Sequence, residues 1–324
     1  MTRRGASDVW EPLSFEALQT TSLMDRPSKV TVDDFCKPWQ PGGSVSLFME
    51  SLPHILAASL FRKAVEAMVR AVRGGRTLIL GMGAHPIKVG LNPVMVDAFR
   101  RGIFTGLALN GAGIIHDVEV ALAGKTSEDV AAHLGHGSFG TARETAEFIH
   151  GAIAKGHAAG SVGLGQAVGE QLLEIGAPYA HLSLLATAAR LSRPVTVHVA
   201  LGTDIIHMHP AMDGAAVGAL SFRDFQVFAR LVSTLEHGLY LNLGSAVILP
   251  EVFLKAVSVV RNLGYSLEGL TTINMDFQRQ YRSQVNVVER PTHGTGTGIS
   301  LIGHHEIMFP LLMAAVIEGL AKES

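Results

Sequence analysis

The chain has 324 residues, is 48% hydrophobic and only 17% charged, and carries 35 glycines and a formal net charge of −2. That composition excludes a disordered or fibrous chain and argues for a large buried core, and the near-neutral charge gives no footprint for nucleic acid or an anionic membrane surface. The single cysteine, Cys36, excludes an intramolecular disulfide; with no signal-peptide core and no apolar run of the ~20 residues that span a bilayer, a cytoplasmic protein is expected.

In chain order, Met1 to Gly43 is polar, carries Pro12, Pro27, Pro38 and Pro41, and reads as an N-terminal arm with a short strand at Val30–Val32. Residues 44–324 read as one domain. Ser44 to Arg73 has apolar residues at helical spacing, divided into two helices near Pro53 or Ala58. Thr77–Leu80 predicts a buried strand that stops at the glycine turn Gly81-Met-Gly83, after which Asn92 caps a helix with Pro93 at its first position. The layout recurs: a strand at Thr105–Leu109, a second glycine turn at Asn110-Gly111-Ala112-Gly113, and a helix from Ile114 to Ala123. Strand, glycine turn and helix point backbone N–H groups at an anion. Two such units in succession make half of a doubly wound sheet with both turns at its carboxyl edge.

Beyond them, Thr126–Asp129 opens a short helix, Thr141–Ala154 is another, and Gly156–Gly165 is a glycine-rich loop. Helices follow at Gln166–Ile175 and Tyr179–Leu191, then a long strand, Pro194–Leu201, that ends at Gly202–His209. Ser221–Glu236 is a helix capped by Ser221, Leu239–Leu243 a strand, Leu249–Leu263 a helix, Leu270–Ile273 and Val285–Val288 strands, and Glu306–Leu320 the closing helix. The expected fold is α/β: a Rossmann-like, doubly wound, mostly parallel sheet with helices on both faces.

The chemistry then depends on which polar groups reach the carboxyl edge. Among 15 histidines, His85, His116, His207, His209, His304 and His305 fall where strands should end. On extended backbone His207 and His209 point to one side, which is ligand spacing for zinc. A single such histidine is more often an ordinary hydrogen-bonded residue. Imidazoles equally suit proton transfer near neutral pH. Asp204 follows a buried strand, and Lys88 sits one turn after the first glycine loop, placed for a phosphate or for solvent.

Gly83-Ala84-His85, Ile87-Lys88, Asn110-Gly111, Ile115-His116-Asp117, the run from Gly124 to Val130 (Gly-Lys-Thr-Ser-Glu-Asp-Val) and Phe309-Pro310-Leu311-Leu312 together resemble the deoxyhypusine synthase family, in particular its bacterial synthase-like branch. The similarity is dense from Gly74 to Thr145 and looser, but collinear, to the end. It implies bound NAD, a homotetramer with active sites between subunits, and oxidation of a polyamine by hydride transfer followed by transfer of its aminobutyl group from a lysine imine. On the cofactor side the resemblance places Gly81, Gly83, Ala84, His85, Lys88, Asn110, Gly111, Ala112, Gly113, Asp117, Thr203, Asn274 and His304. Asp204, His207, His209 and His305 are the candidate catalytic groups, converging from two walls. The family's catalytic lysine lies in a segment matched here by Val285–Thr292, which has no lysine. Arg290 cannot replace it, because a guanidinium stays protonated to above pH ~12.

Three readings follow. One is an NAD-dependent enzyme acting on a small amine or related metabolite. Another is a metal-dependent hydrolase or lyase using His207, His209 and Asp204 with His304 or His305. The third is a non-catalytic NAD-binding homologue.

Overall fold

The computed structural model describes residues 12–322, so the first residues of the arm, Met1–Glu11, lie outside it. Six strands form one parallel sheet: β1 Leu78–Met82, β2 Gly106–Asn110, β3 Val195–His198, β4 Leu239–Leu243, β5 Thr271–Asp276 and β6 Thr297–Ile302. Their spatial order is β3-β2-β1-β4-β5-β6. β1 pairs with β2 on one side (Ile79 with Gly106) and with β4 on the other (Leu78 with Leu239). The order of the strands therefore reverses between β1 and β4, and the carboxyl end of that junction is where doubly wound sheets open a crevice.

Both faces of the sheet are covered. The helices are α1 Val45–Ser51, α2 Leu56–Arg73, α3 His85–Lys88, α4 Asn92–Arg100, α5 Gly111–Ala123, α6 Val130–Leu134, α7 Arg143–Ala159, α8 Leu164–Glu174, α9 Leu184–Arg190, α10 Gly214–Val232, α11 Ile248–Asn262, α12 Tyr281–Ser283 and α13 His305–Ala321. Side chains alternate along each strand. Leu78, Leu80 and Met82 of β1 therefore join α2, α4, α5 and α13 in the larger core, while Ile79 meets Phe228 of α10 and Phe253 of α11 in the smaller one. Burial on both faces is why the central strands read as continuous apolar runs.

Several expectations give way to tertiary packing. β1 runs on through Gly81, where a side chain would overlap the Tyr240 hydroxyl; the glycine makes room in the core instead of turning the chain. Asn92 does not cap α4. It is buried, and its amide donates to Leu182 O at 2.9 Å and to Asp117 Oδ1 at 3.3 Å. Helix α7 continues to Ala159, so the expected glycine loop is shortened to residues 160–163. The helix expected over 179–191 is a short 3-10 turn, Ala180–Leu182, followed by α9, whose first turn is capped by the Ser183 hydroxyl. Helix α10 starts at Gly214, capped by Asp213, and Ser221 lies inside it with its hydroxyl donating to Val197 O. Val285–Val288 is not a strand but part of a π-helical turn, Gln284–Glu289, in which buried Val287 and Val288 pack where their β propensity alone would not put them. β6 occupies that sheet edge instead. The Val30–Val32 strand is absent; Val32–Asp34 is a 3-10 turn. No helix among the described residues is long and apolar enough to cross a membrane.

Candidate active site at the carboxyl edge

The first turn leaves β1 at Gly83, where a Cβ would overlap the carbonyl oxygen of Gly244, the residue that follows β4. Gly244 has φ +61°, and a Cβ there would lie 2.7 Å from His305 Cε1. Two glycines thus let the loops after β1 and β4 close on each other, with the His305 ring laid across them. His305 opens α13 and is fully buried. Its Nδ1 lies 2.9 Å from His85 Nδ1, and its Nε2 lies 3.6 Å from Oδ1 of Asp276, the last residue of β5. Phe277 flanks both imidazoles, at centroid distances of 5.7 Å from His85 and 5.8 Å from His305.

A hydrogen bond between two Nδ1 atoms needs one proton and one lone pair, and either ring can supply either. Among the described residues His305 Nε2 has no hydrogen-bond partner, and Asp276 is its acid neighbour. In the tautomer that sets His305 Nε2–H toward that acid, His305 Nδ1 accepts from His85 Nδ1–H and the His85 lone pair is on Nε2. Burial raises the Asp276 carboxyl above its usual value, and burial likewise holds His305 below the usual imidazole value. A half-buried imidazole with a free lone pair, backed by a buried imidazole and an acid, can accept a proton and share the charge that results.

The second turn is built differently. Asn110 ends β2, and its side-chain oxygen accepts from Gly113 N at 2.9 Å, capping α5. A side chain at Gly111 would overlap the carboxylate of Asp204. The protein's own anion therefore stands at the start of α5, where the helix dipole favours it. Asp204 accepts from Ala200 N at 3.3 Å, and burial raises its carboxyl above the usual value. Thr203 is exposed and donates to Ala200 O within the same loop.

His207 and His209 do not share extended backbone. Ile205–Met208 is a 3-10 turn, so residues two apart diverge around its axis. His207 Nδ1 accepts from Gly202 N at 3.3 Å, and His209 Nδ1 accepts from Ala211 N at 3.1 Å while its ring stacks on His150. Each Nδ1 thus bonds within its own loop, while His207 Nε2 is buried without a hydrogen-bond partner among the described residues and His209 packs on α7. Among the described residues no three His, Cys, Asp or Glu side chains group to hold a metal ion, and the metal-ligand spacing expected for this pair is corrected accordingly.

The remaining candidates separate. His304 is exposed, its side chain at 72% and 3.8 Å from Glu306, on the far side of the backbone from His305. Asp117 is fully buried inside the larger core; it accepts from Ser183 Oγ at 2.6 Å and from the Leu184 and Leu185 amides at 2.8 and 3.1 Å. With Asn92 as a fourth donor, its carboxylate is a latch between α4, α5 and α9, not a group left over for a cofactor. Asn274 is buried in β5 and accepts from the Asn242 amide at 2.8 Å, just beneath the loop closure. Lys88, on α3, is exposed, and Ala84 and Ala112 present only methyl groups. His116 lies within α5, bonded to Thr126 Oγ1 at 2.6 Å, and not at a strand end. Asp276, Phe277 and Gly244 went unrecognised in the sequence. The signal for Asp276 was the one applied to Asp204, an acid closing an apolar strand, and it was missed because the strand was ended at Ile273, three residues early.

No protein-family model matches the chain, and no curated protein matches it in sequence. Solved structures do share its fold. Unliganded AgrE superposes with a TM-score of 0.53 at 14% identity, over 83% of this chain and 34% of that one. AgrE in a ternary complex with ornithine and NAD+ gives 0.50 at 14% identity, over 80% of this chain and 33% of that one. A putative deoxyhypusine synthase from Entamoeba histolytica gives 0.50 at 10% identity, over 87% of this chain and 96% of that one. The chain spans about a third of the length of AgrE, and at these identities the likeness is one of fold.

Proposed function

We propose that the protein is an NAD-dependent enzyme of deoxyhypusine synthase-like type that oxidises a small amine, polyamine-like, or a related metabolite, with elimination or group transfer to follow. The observation that carries this is the line His85–His305–Asp276 standing at the reversal point of the strand order.

The first turn fits a dinucleotide. Lys88 is exposed one turn beyond it with no side-chain hydrogen bond among the described residues and is the cation offered to a phosphate there, while Gly83 and Gly244 serve to pack the two loops and the His305 ring together. The second turn fits a phosphate poorly, because the Asp204 carboxylate already meets the start of α5 and would repel it. The pyrophosphate is therefore assigned to the first turn, and the free amide of Asn110, at the end of β2, to a ribose hydroxyl. NAD, when bound, supplies the hydride acceptor. His85 Nε2 takes the proton leaving the substrate nitrogen or oxygen, His305 fixes the tautomer that makes this possible, and Asp276 balances the positive charge the imidazole pair acquires. Asp204 is positioned to hold a substrate cation. The AgrE complex with ornithine and NAD+ supports an amine substrate on this fold. Arg290 donates to Asn286 Oδ1 at 2.8 Å, and the segment 285–292 offers no amine for an imine; deoxyhypusine synthesis through a lysine there is not part of the proposal.

Val247, Phe277, Tyr281, Ile302 and Ile307 are exposed on the segments that leave the carboxyl edge. This apolar rim supports a homotetramer in which another copy covers the site. Calorimetric titration with NAD, followed by NADH formation with a panel of small amines and alcohols, tests the reading. Saturable binding with turnover is expected. Absence of NAD binding sinks it, and binding without turnover of any substrate class moves the protein to the non-catalytic reading.

A further inference from the structure

The opposite edge of the sheet carries a second constellation. Helix α2 ends over the starts of β1, β4 and β5, and a cavity of about 290 Å³ opens there, lined by Arg70, Gly74, Arg76, His237, Gly269 and Thr271 together with Ala67, Ala71 and Gly238. Its ionisable lining is two guanidiniums and an imidazole, with no carboxylate. Among the described residues neither arginine has a side-chain hydrogen bond or ion pair. Arg73, on the same helix, does differ: it donates to Gly319 O at 3.1 Å, and Arg261 donates to Pro291 O at 2.6 Å. In a chain with a net charge of −2, the two exposed guanidiniums give this cavity a cationic lining without a counter-charge.

The backbone is specialised at the same place. His237 has φ +55°, the left-handed region that a side chain with a Cβ rarely adopts. Gly269, at φ +64°, has no Cβ where one would overlap the His237 ring. The left-handed residue and the glycine that accommodates it put the imidazole at the cavity wall, although among the described residues the ring makes no hydrogen bond of its own.

We propose that this cavity binds a small phosphate-bearing anion. Guanidinium forks match phosphate oxygens two at a time, and a cavity of about 290 Å³ takes a phosphate with a small organic group but not a dinucleotide. The site lies a full strand away, ~17 Å, from the carboxyl edge. It does not depend on the proposed cofactor site, and a ligand here acts on the molecule without touching the His85–His305–Asp276 line.

The test uses the full chain and inorganic phosphate at constant ionic strength, with chloride as the balancing salt. Phosphate should raise the Tm saturably, as ligand linkage requires, and should shift the backbone amide resonances of Gly74, Gly238 and Gly269. Arg70→Gln and Arg76→Gln should each weaken phosphate at least ten-fold, and Arg76→Lys, which keeps the charge and loses the fork, should fall between. No saturable effect on the unsubstituted protein overturns the proposal. So does an unchanged response in the folded glutamine variants, or amide shifts confined to other parts of the molecule, the readout that remains if a variant fails to fold.

Discussion

At the ends of β1 and β5, His85, His305 and Asp276 form a line in which one buried nitrogen, His305 Nε2, has no hydrogen-bond partner. At the other side of the same edge, around α5, Asp117 is met by four donors and Asp204 is packed against Gly111. Both regions bury acids, and both stand near a glycine turn. What separates Asp117 from the histidine line is remaining hydrogen-bonding capacity. A carboxylate enclosed by amides and a hydroxyl holds helices together. A pair of imidazoles with one proton between them can still take another.

The largest expected effect tests the first region. His85→Gln or His305→Gln should lower turnover by ~10²–10⁴, the usual cost of losing a general base, with NAD affinity and Tm little changed. Turnover unchanged in both would remove the line from the chemistry. His207→Ala and His209→Ala should leave turnover close to that of the parent, since both rings bond within their own loop.

Asp117→Ala tests the second region and should act on stability alone. It strands the Ser183 hydroxyl and the Leu184 and Leu185 amides in the core. At ~1–3 kcal/mol for each unpaired buried group, the loss should reach several kcal/mol, read from the denaturant midpoint. A stable Asp117→Ala protein with weakened NAD binding would reverse the assignment.

Gly111→Ala is a smaller perturbation of the same kind. Its new methyl group meets the Asp204 carboxylate, so ~1–3 kcal/mol of stability should go through overpacking while NAD affinity holds. A selective fall in NAD affinity would place a phosphate at the second turn after all.

A different kind of effect is a slope against pH. Burial raises the Asp224 carboxyl from 3.8 to about 7, and burial raises Asp117 from 3.8 to about 6. The folded chain therefore keeps protons that the unfolded chain releases, and these two groups make stability fall as pH rises from about 4 to about 7. Asp224 accepts from Gly165 N at 2.9 Å and from Val197 N at 2.7 Å, so Asp224→Asn is weaker throughout. Its midpoint should nonetheless vary less across that window, and an unchanged slope would show that Asp224 does not titrate there.

The sequence by itself determined the α/β class, most of the strands, the bundling of strand ends at one edge, and the candidacy of His85 and His305. These follow from local signals, namely apolar runs, glycines after them and periodic helical faces. The tertiary structure decided the rest. It joined His305 to His85 across 220 positions of chain and brought in Asp276, a meeting no local spacing encodes. It made Gly81 a space for Tyr240, not a turn, and Gly111 a space for Asp204. It put His207 on a 3-10 turn and His209 just past its end, so the two side chains that a continuous strand would align are separated. A glycine is written identically whether it turns the chain or yields to a neighbour, and which it does depends on side chains far away in sequence.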